Sequence, residues 1–186
     1  MRILGISGSL RTGSFNTAAL HAIGKLLPEG AELEVADLAG LPLYSQDLEA
    51  NLPAAVVKFK ESIKSADAVL IASPEYNYSI SGVLKNAIDW ASRPKGTNSF
   101  DGKPGAILGV SNGRFGTARA YYDAYKILSG LNVHLLNYPQ MLVSEGGKKF
   151  NEQGQLADPE AVEKFKTFAA GLVDWTQKLK AGGIAK

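Results

Sequence analysis

The sequence predicts a single α/β domain in which helices cover both faces of a five-stranded parallel sheet. Three observations predict it. Apolar runs alternate with amphipathic stretches along the whole chain, and the strongest runs are continuously apolar, which is typical of strands buried on both faces. The 186 residues, 45% hydrophobic and 20% charged, suit one globular domain. We therefore expect a doubly wound sheet formed by one domain over residues 1–186.

Strands and helices are predicted in strict alternation. The strong strands are 3–6, 68–72 and 106–110, and weaker strands at 33–35 and 133–136 are expected nearer the sheet edges. Apolar residues at helical spacing predict helices over 18–27, 56–63, 83–91, 121–131 and 165–179. Asp158 and Pro159 form a start signal for the last helix. The segments 38–53 and 137–158 are predicted as long loops within the one domain.

Composition excludes several classes of function. The chain has no cysteine, so disulfides, thiolate nucleophiles and thiolate metal sites are excluded, and a reducing cytoplasm is expected. The net charge of +2 is too balanced for a nucleic-acid or membrane-surface protein. The apolar run at residues 3–6 is too short for a signal segment, and no later stretch could span a bilayer. Two distant histidines, His21 and His134, give no metal-ligand spacing, so no metal is expected.

Loop 1 (residues 7–16) has the composition of a phosphate-binding turn. It leaves a buried strand and enters a helix, so backbone N–H groups at the helix start point into it. Ser9, Ser14 and Asn16 add short polar side chains, and Arg11 adds a fork suited to phosphate oxygens. The loop matches neither the P-loop nor the Rossmann glycine pattern. The alternative is an ordinary strand-to-helix turn with a serine cap.

Loop 2 (residues 73–82) combines Pro74, Glu75, Tyr76, Asn77 and Tyr78. Aromatic rings beside polar groups suit a flat aromatic ligand that stacks on one side and forms hydrogen bonds along its edge. Equally, such a loop could pack against its neighbours or against another subunit.

Loop 3 (residues 111–117) lies at the same predicted sheet edge, because parallel strands present their carboxyl ends together. Residues 109–113 form a formal G-x-S-x-G pattern, which raises a serine hydrolase as an alternative. Only His134 follows Ser111, and it lies in a predicted strand, so the hydrolase is disfavoured. No acid–base or nucleophile set remains, which indicates that a bound cofactor performs the chemistry.

Together the loops resemble the NADPH-dependent FMN reductase family, which includes bacterial quinone and chromate reductases. The resemblance covers nearly the whole chain and is most specific at residues 73–93, S-P-E-Y-N-Y-S-I-S-G-V-L-K-N-A-I-D-W-A-S-R. Further matching elements are G-S-L-R-x-G-S-x-N at 8–16 and K-F-N-E-Q-G-Q-L-x-D at 149–158. The chain departs from the family at Ser81, where relatives often have proline, and at Thr117, where they often have glycine.

The resemblance implies a flavodoxin-like fold with strand order 2-1-3-4-5. It implies that Ser9, Arg11, Ser14 and Asn16 hold the FMN phosphate beside Phe15, with Arg11 the main anchor. Residues 74–78 would line the flavin ring, largely through backbone groups, and Ser111 and Gly113 would contact it from loop 3.

The implied activity is FMN-dependent transfer of electrons from NADPH or NADH to small acceptors such as quinones, azo compounds, chromate or free flavin. The flavin performs the chemistry, so no side chain is predicted to be catalytic. A homodimer or homotetramer is implied, with the flavin near a subunit interface.

Two other functions share the fold and the cofactor: an electron carrier like flavodoxin, and a redox-sensing FMN-binding protein without NAD(P)H turnover. Carriers of that type are usually acidic and shorter. Direct turnover of NAD(P)H would separate the enzyme from both. Arg114 is a candidate contact for the 2′-phosphate of NADPH, against the alternative of an ordinary solvent-facing loop arginine.

Overall fold

A parallel sheet forms the centre of the structure, a computed structural model that describes residues 1–185. Its strands are β1 (Arg2–Ser7), β2 (Glu32–Val35), β3 (Ala68–Ala72), β4 (Pro104–Val110), β5 (His134–Leu135) and β6 (Met141–Val143). The order is β2-β1-β3-β4-β5, every pairing is parallel, and β6 also pairs with β4. This confirms the flavodoxin-like doubly wound fold and the order 2-1-3-4-5.

The sixth strand corrects the prediction of a continuous loop over residues 137–158. The two-residue β5 pairs with Pro104 and Gly105, and β6 then pairs with β4 further along, at 108–110. Together β5 and β6 cover one edge of β4, and the chain leaves the sheet between them. A three-residue strand is too short to produce a hydropathy pattern, so its pairing is visible only in the folded chain. The same segment contains the short helix α5 (Gly146–Lys149).

The five predicted helices are all present. They are α1 (Phe15–Leu26), α2 (Ala54–Ser65), α3 (Gly82–Ser92), α4 (Ala118–Gly130) and α6 (Pro159–Ala181). The α6 helix begins where its start signal predicted, and the carboxylate of Asp158 accepts a hydrogen bond from the N–H of Ala161. The predicted loop over 38–53 also contains a short 3-10 helix, Gln46–Leu48.

Two apolar layers sandwich the sheet. Val69 and Ile71 of β3 pack towards α2, α3 and α4, whereas Leu70 packs towards α1 and α6. Every residue of β3 and β4 is buried, which explains their unbroken apolar runs. Within residues 1–185, no helix has the length and apolar character needed to cross a membrane. The parallel arrangement brings loops 1, 2 and 3 to the same edge of the sheet.

Candidate functional site

Loops 1, 2 and 3 enclose a cleft of about 420 Å³ beyond the carboxyl ends of β1, β3 and β4. We call it the three-loop cleft. Most of the predicted cofactor-binding residues line it: Ser9, Arg11, Ser14, Phe15, Asn16, Pro74, Glu75, Tyr76 and Ser111. Val110 and Asn112 line it as well. They were missed in the sequence although they flank Ser111, because no residue type marked them out. The volume lies within the usual range of small-molecule sites.

Three predicted residues do not line the three-loop cleft. Asn77 and Tyr78 form the exposed tip of loop 2, where Tyr76 and Ser79 exchange backbone hydrogen bonds of 3.0 and 3.1 Å. Both tip residues have positive φ, 49° and 69°, which is the geometry of a tight two-residue hairpin turn. Gly113 lies on the exposed side of loop 3.

The loop 1 end of the cleft can accept an anion. Ser14 caps α1 by accepting a hydrogen bond from the N–H of Thr17, and the first turn contains no acidic residue. The backbone N–H groups of Phe15 and Asn16 have no partner within residues 1–185. Arg11 is exposed beside them, with its guanidinium 5.8 Å from the centre of the Phe15 ring. A helix start with free N–H groups and an adjacent arginine attracts phosphate.

Asn16 has a structural task within this arrangement. Its side-chain nitrogen donates to the carbonyl of Val110 at 3.1 Å, and its side-chain oxygen accepts from the N–H of Val110 at 3.0 Å. The side chain is buried and holds the start of α1 against the end of β4. The family resemblance implies that Asn16 holds the phosphate. In the structure its side-chain amide is bound to Val110, and its backbone N–H is the group that remains free for an anion.

Loops 1 and 2 are joined directly at Gly8 and Ser81. The Ser81 hydroxyl donates to the carbonyl of Gly8 at 2.6 Å and accepts from the N–H of Leu84 at 3.1 Å, which caps α3. A Cβ on Gly8 would lie 3.0 Å from both Pro74 Cδ and Ser81 Oγ. The close approach of the two loops therefore depends on glycine at this position.

Loop 2 is anchored to α4 at two points. The carboxylate of Glu75 accepts hydrogen bonds from Arg119 Nε at 2.5 Å and from the Arg119 N–H at 3.0 Å. The Ser79 hydroxyl donates to Asp123 at 2.7 Å. Hydrogen bonds from Ser79 and from Lys126 hold the pKa of Asp123 below its ordinary value, so the second anchor is charged at neutral pH.

Loop 3 is supported by the end of β6 and by the short helix α5. The N–H of Ser111 donates to the carbonyl of Val143 at 3.0 Å, and the Asn112 side chain accepts from the N–H of Gly147 at 2.8 Å. The Ser111 hydroxyl donates a hydrogen bond to the carbonyl of Gly113 at 3.4 Å. His134 pairs with Pro104, at the opposite end of β4, so it cannot serve Ser111 as a base. This removes the hydrolase alternative.

Two larger open grooves are present. One of about 1140 Å³ runs along α1 and shares Arg11 and Ser14 with the three-loop cleft, and one of about 800 Å³ lies beside residues 137–144 and α6. Neither lies at the point where the strand order reverses, between β1 and β3, which is where sheets of this type bind ligands. Among residues 1–185, no group of three or more His, Cys, Asp or Glu side chains could hold a metal ion.

The sequence is similar to a known protein family and to named reductases. The profile of the NADPH-dependent FMN reductase family matches residues 1–148. An NAD(P)H-dependent FMN reductase of Pseudomonas aeruginosa is 51% identical over 181 residues, covering 97% of both chains. A 2-hydroxy-1,4-benzoquinone reductase of a Burkholderia species is 39% identical over 177 residues, covering 95% of this chain and 97% of its own.

A solved flavoenzyme structure has the same fold over nearly the whole chain. The flavoenzyme NAD(P)H:(acceptor) oxidoreductase FerB from Paracoccus denitrificans matches with a TM-score of 0.89 at 34% identity, covering 95% of this chain and 97% of that one. The family match spans loops 1, 2 and 3 and every strand of the sheet. The chain belongs to the NADPH-dependent FMN reductase family and, like the reductases to which it is similar, is an oxidoreductase.

Proposed function

We propose that this protein binds FMN in the three-loop cleft and uses it to pass electrons from NADPH or NADH to small acceptors. The observation that carries the proposal is the convergence of loops 1, 2 and 3 at the strand-order reversal, with an anion-accepting helix start at one end and aromatic and proline surfaces at the other. Family membership supports the same cofactor and the same donors.

The residues present fit FMN. Its phosphate would lie at the start of α1, against the free N–H groups of Phe15 and Asn16, with Ser9, Ser14 and Arg11 around it. The flavin ring would lie between Pro74 and Tyr76 on loop 2 and Ser111 on loop 3. Asn77, Tyr78 and Gly113, the remaining predicted residues, would form the outer rim. The carboxylate of Glu75 is engaged by α4, so that residue would contact the ring through its backbone.

Bound FMN would supply the redox chemistry, accepting a hydride from the nicotinamide and returning electrons to the acceptor. The chain would bind and orient it. Arg11 would neutralise the phosphate. Asn16 fixes loop 1 to the end of β4, Ser81 joins loop 2 to loop 1, and the buried ends of β1, β3 and β4 keep water from the inner side of the cleft. No side chain in the cleft is assigned a proton-transfer role.

A quinone is the first acceptor to test, because the Burkholderia relative is named as a benzoquinone reductase. Azo compounds, chromate and free flavin are further candidate acceptors that would use the same cleft. We also propose cytoplasmic localisation, supported by the absence of cysteine from the sequence.

We further propose that the protein forms a homodimer or homotetramer. Four large aromatic side chains of loop 2, loop 3 and α4 are exposed: Tyr76, Tyr78, Phe115 and Tyr122. Clustered exposed aromatics favour an interface with a second copy of the chain. Light scattering at several protein concentrations tests this, and a monomer at every concentration would contradict it.

The function is tested by an anaerobic titration of the purified protein with FMN and then NADPH, following flavin absorbance in the visible range. We expect FMN to bind, to bleach on addition of NADPH or NADH, and to recover on addition of a quinone. Binding without bleaching by either donor would indicate an electron carrier or a redox sensor. Absence of FMN binding would overturn the site.

A further inference from the structure

The Arg119 side chain connects two of the three loops that form the cleft. Its guanidinium lies 4.3 Å from the ring centre of Tyr78 in loop 2 and 5.4 Å from that of Phe115 in loop 3. Its edge forms the ion pair with Glu75, with both N–O distances at 2.5 Å. One guanidinium therefore contacts loop 2 at two residues and loop 3 at a third, while its own backbone belongs to α4.

The Glu75 carboxylate depends on this contact. Its side chain is only 11% exposed, and besides the guanidinium it accepts from the backbone N–H groups of Arg119 at 3.0 Å and Ala120 at 3.3 Å. All the bonds it makes come from the start of α4, where the helix dipole also favours a negative charge. Without Arg119 a largely buried carboxylate would lose its charged partner, which destabilises its present position.

Glu75 stands between Pro74 and Tyr76, which both line the three-loop cleft. Because the three residues are consecutive, fixing the Glu75 carboxylate also restrains the backbone of Pro74 and Tyr76. Loop 2 has no regular secondary structure at this point, so side-chain contacts decide its conformation.

We propose that Arg119 is a positioning residue for the flavin: through Glu75 and Tyr78 it fixes loop 2, and through Phe115 it fixes loop 3, in the conformation that binds the flavin ring. This inference rests on the proposed function, since it concerns the same cleft. Arg119 itself does not line the cleft and would not touch the cofactor.

Replacing Arg119 by methionine keeps a long unbranched side chain and removes the ion pair and the ring contacts. We expect Arg119→Met to weaken FMN binding by about 10-fold or more, because loop ordering must then be supplied by the binding event. Arg119→Lys keeps the charge but lacks the planar fork, so we expect intermediate affinity. Arg2→Met is the matched control, because Arg2 is also an exposed arginine that forms an ion pair, with Glu34, and it lies at the amino end of β1, opposite the three-loop cleft.

The measurement is the FMN dissociation constant of the apoprotein, from quenching of flavin fluorescence, with the melting temperature of each apoprotein recorded beside it. If Arg119 acts through Glu75, the double variant Arg119→Met/Glu75→Gln should bind no more weakly than the weaker of the two single variants. Partial recovery in Arg119→Lys, with unchanged binding in Arg2→Met, supports the inference. If Arg119→Met does not fold, Arg119→Lys alone carries the test.

Three negative results have different meanings. Unchanged FMN affinity in Arg119→Met or in a folded Arg119→Lys, beside a wild type that binds FMN, would overturn the role of Arg119 and leave the proposed function standing. Additive losses in the double variant would show that Arg119 does not act through Glu75. A wild-type protein that does not bind FMN would overturn the proposed function and this inference together.

Discussion

Gly109 and Thr117 are packed so closely that their substitutions should be strongly coupled. Gly109 lies in β4, and a Cβ there would fall 1.7 Å from Thr117 Oγ1, 2.9 Å from Thr117 Cβ and 3.0 Å from the carbonyl oxygen of Ser73. Rotating the threonine side chain moves its oxygen but not its Cβ, so Gly109→Ala must displace the start of α4. We expect a destabilisation of about 1–3 kcal/mol, the usual result of overpacking.

Thr117→Gly should relieve this clash. Thr117 is a β-branched residue at φ 69°, and its buried hydroxyl has no hydrogen-bond partner within residues 1–185. Left-handed backbone at such a residue costs about 1–3 kcal/mol, and glycine relieves this cost. The lost packing of the threonine side chain and the flexibility of glycine in the unfolded chain offset most of that gain. The single variant should therefore change stability by about 1 kcal/mol or less, in the stabilising direction.

The assay is equilibrium unfolding in urea, followed by tryptophan fluorescence, for both single variants and the double variant. Because Thr117→Gly removes two of the three close contacts, we expect a favourable coupling of at least about 1 kcal/mol. Gly130→Ala combined with Thr117→Gly is the control, because Gly130 lies in the same helix with nothing within 4 Å of its Cβ position. Additive effects of Gly109→Ala and Thr117→Gly would refute the packing argument.

Three further predictions concern charge and hydrogen bonding. Arg11→Ala should weaken FMN binding by about 1.5–3 kcal/mol in a fluorescence titration, with Arg2→Ala unchanged. Equal affinity in both would contradict the assignment of the phosphate end. Asn16→Leu leaves the buried N–H and carbonyl of Val110 unpaired, so the free energy of unfolding measured in urea should fall by about 2–4 kcal/mol. A fall of less than about 1 kcal/mol would argue against the link between loop 1 and β4. Burial lowers the pKa of Lys60 to about 8. The unfolded chain, with an ordinary lysine pKa of about 10.4, then binds more protons between these values, so stability should rise with pH across that window. Subtracting the same pH series for Lys60→Met should isolate this rise, and parallel curves would contradict it.

Much of the fold followed from local patterns in the sequence. The runs at 68–72 and 106–110 are buried on both faces, so they are apolar throughout and predict their strands without knowledge of their partners. Asp158 and Pro159 set the start of α6 because a cap and a first-turn proline act over only a few residues. The strand β6 lacked such a signal. Its three residues form a strand because β5 is short and leaves the far part of β4 unpaired.

The cleft was predictable in position and in most of its residues. Loops after parallel strands must meet at one edge, and phosphate-binding residues in loop 1 have a recognisable chemistry. The sequence did not predict which loop residues face the cleft and which hold the loops in place. Asn16 has the same composition signal as Ser9, yet its amide binds Val110, 94 residues away. Asn77 and Tyr78 share a motif with Tyr76 but turn outwards at the hairpin tip.

By itself the sequence determined the layers of the fold and the sheet edge at which the three loops meet, and it predicted the kind of ligand that this edge would bind. These follow from hydropathy, turn chemistry and charge, which act over a few neighbouring residues. The tertiary structure alone decided which side chains face the cleft and which hold it in shape. The pairing of Glu75 with Arg119 joins residues 44 positions apart, and no local pattern encodes it. Such contacts depend on where the helices come to rest on the sheet, because only packing brings distant side chains to within bonding distance.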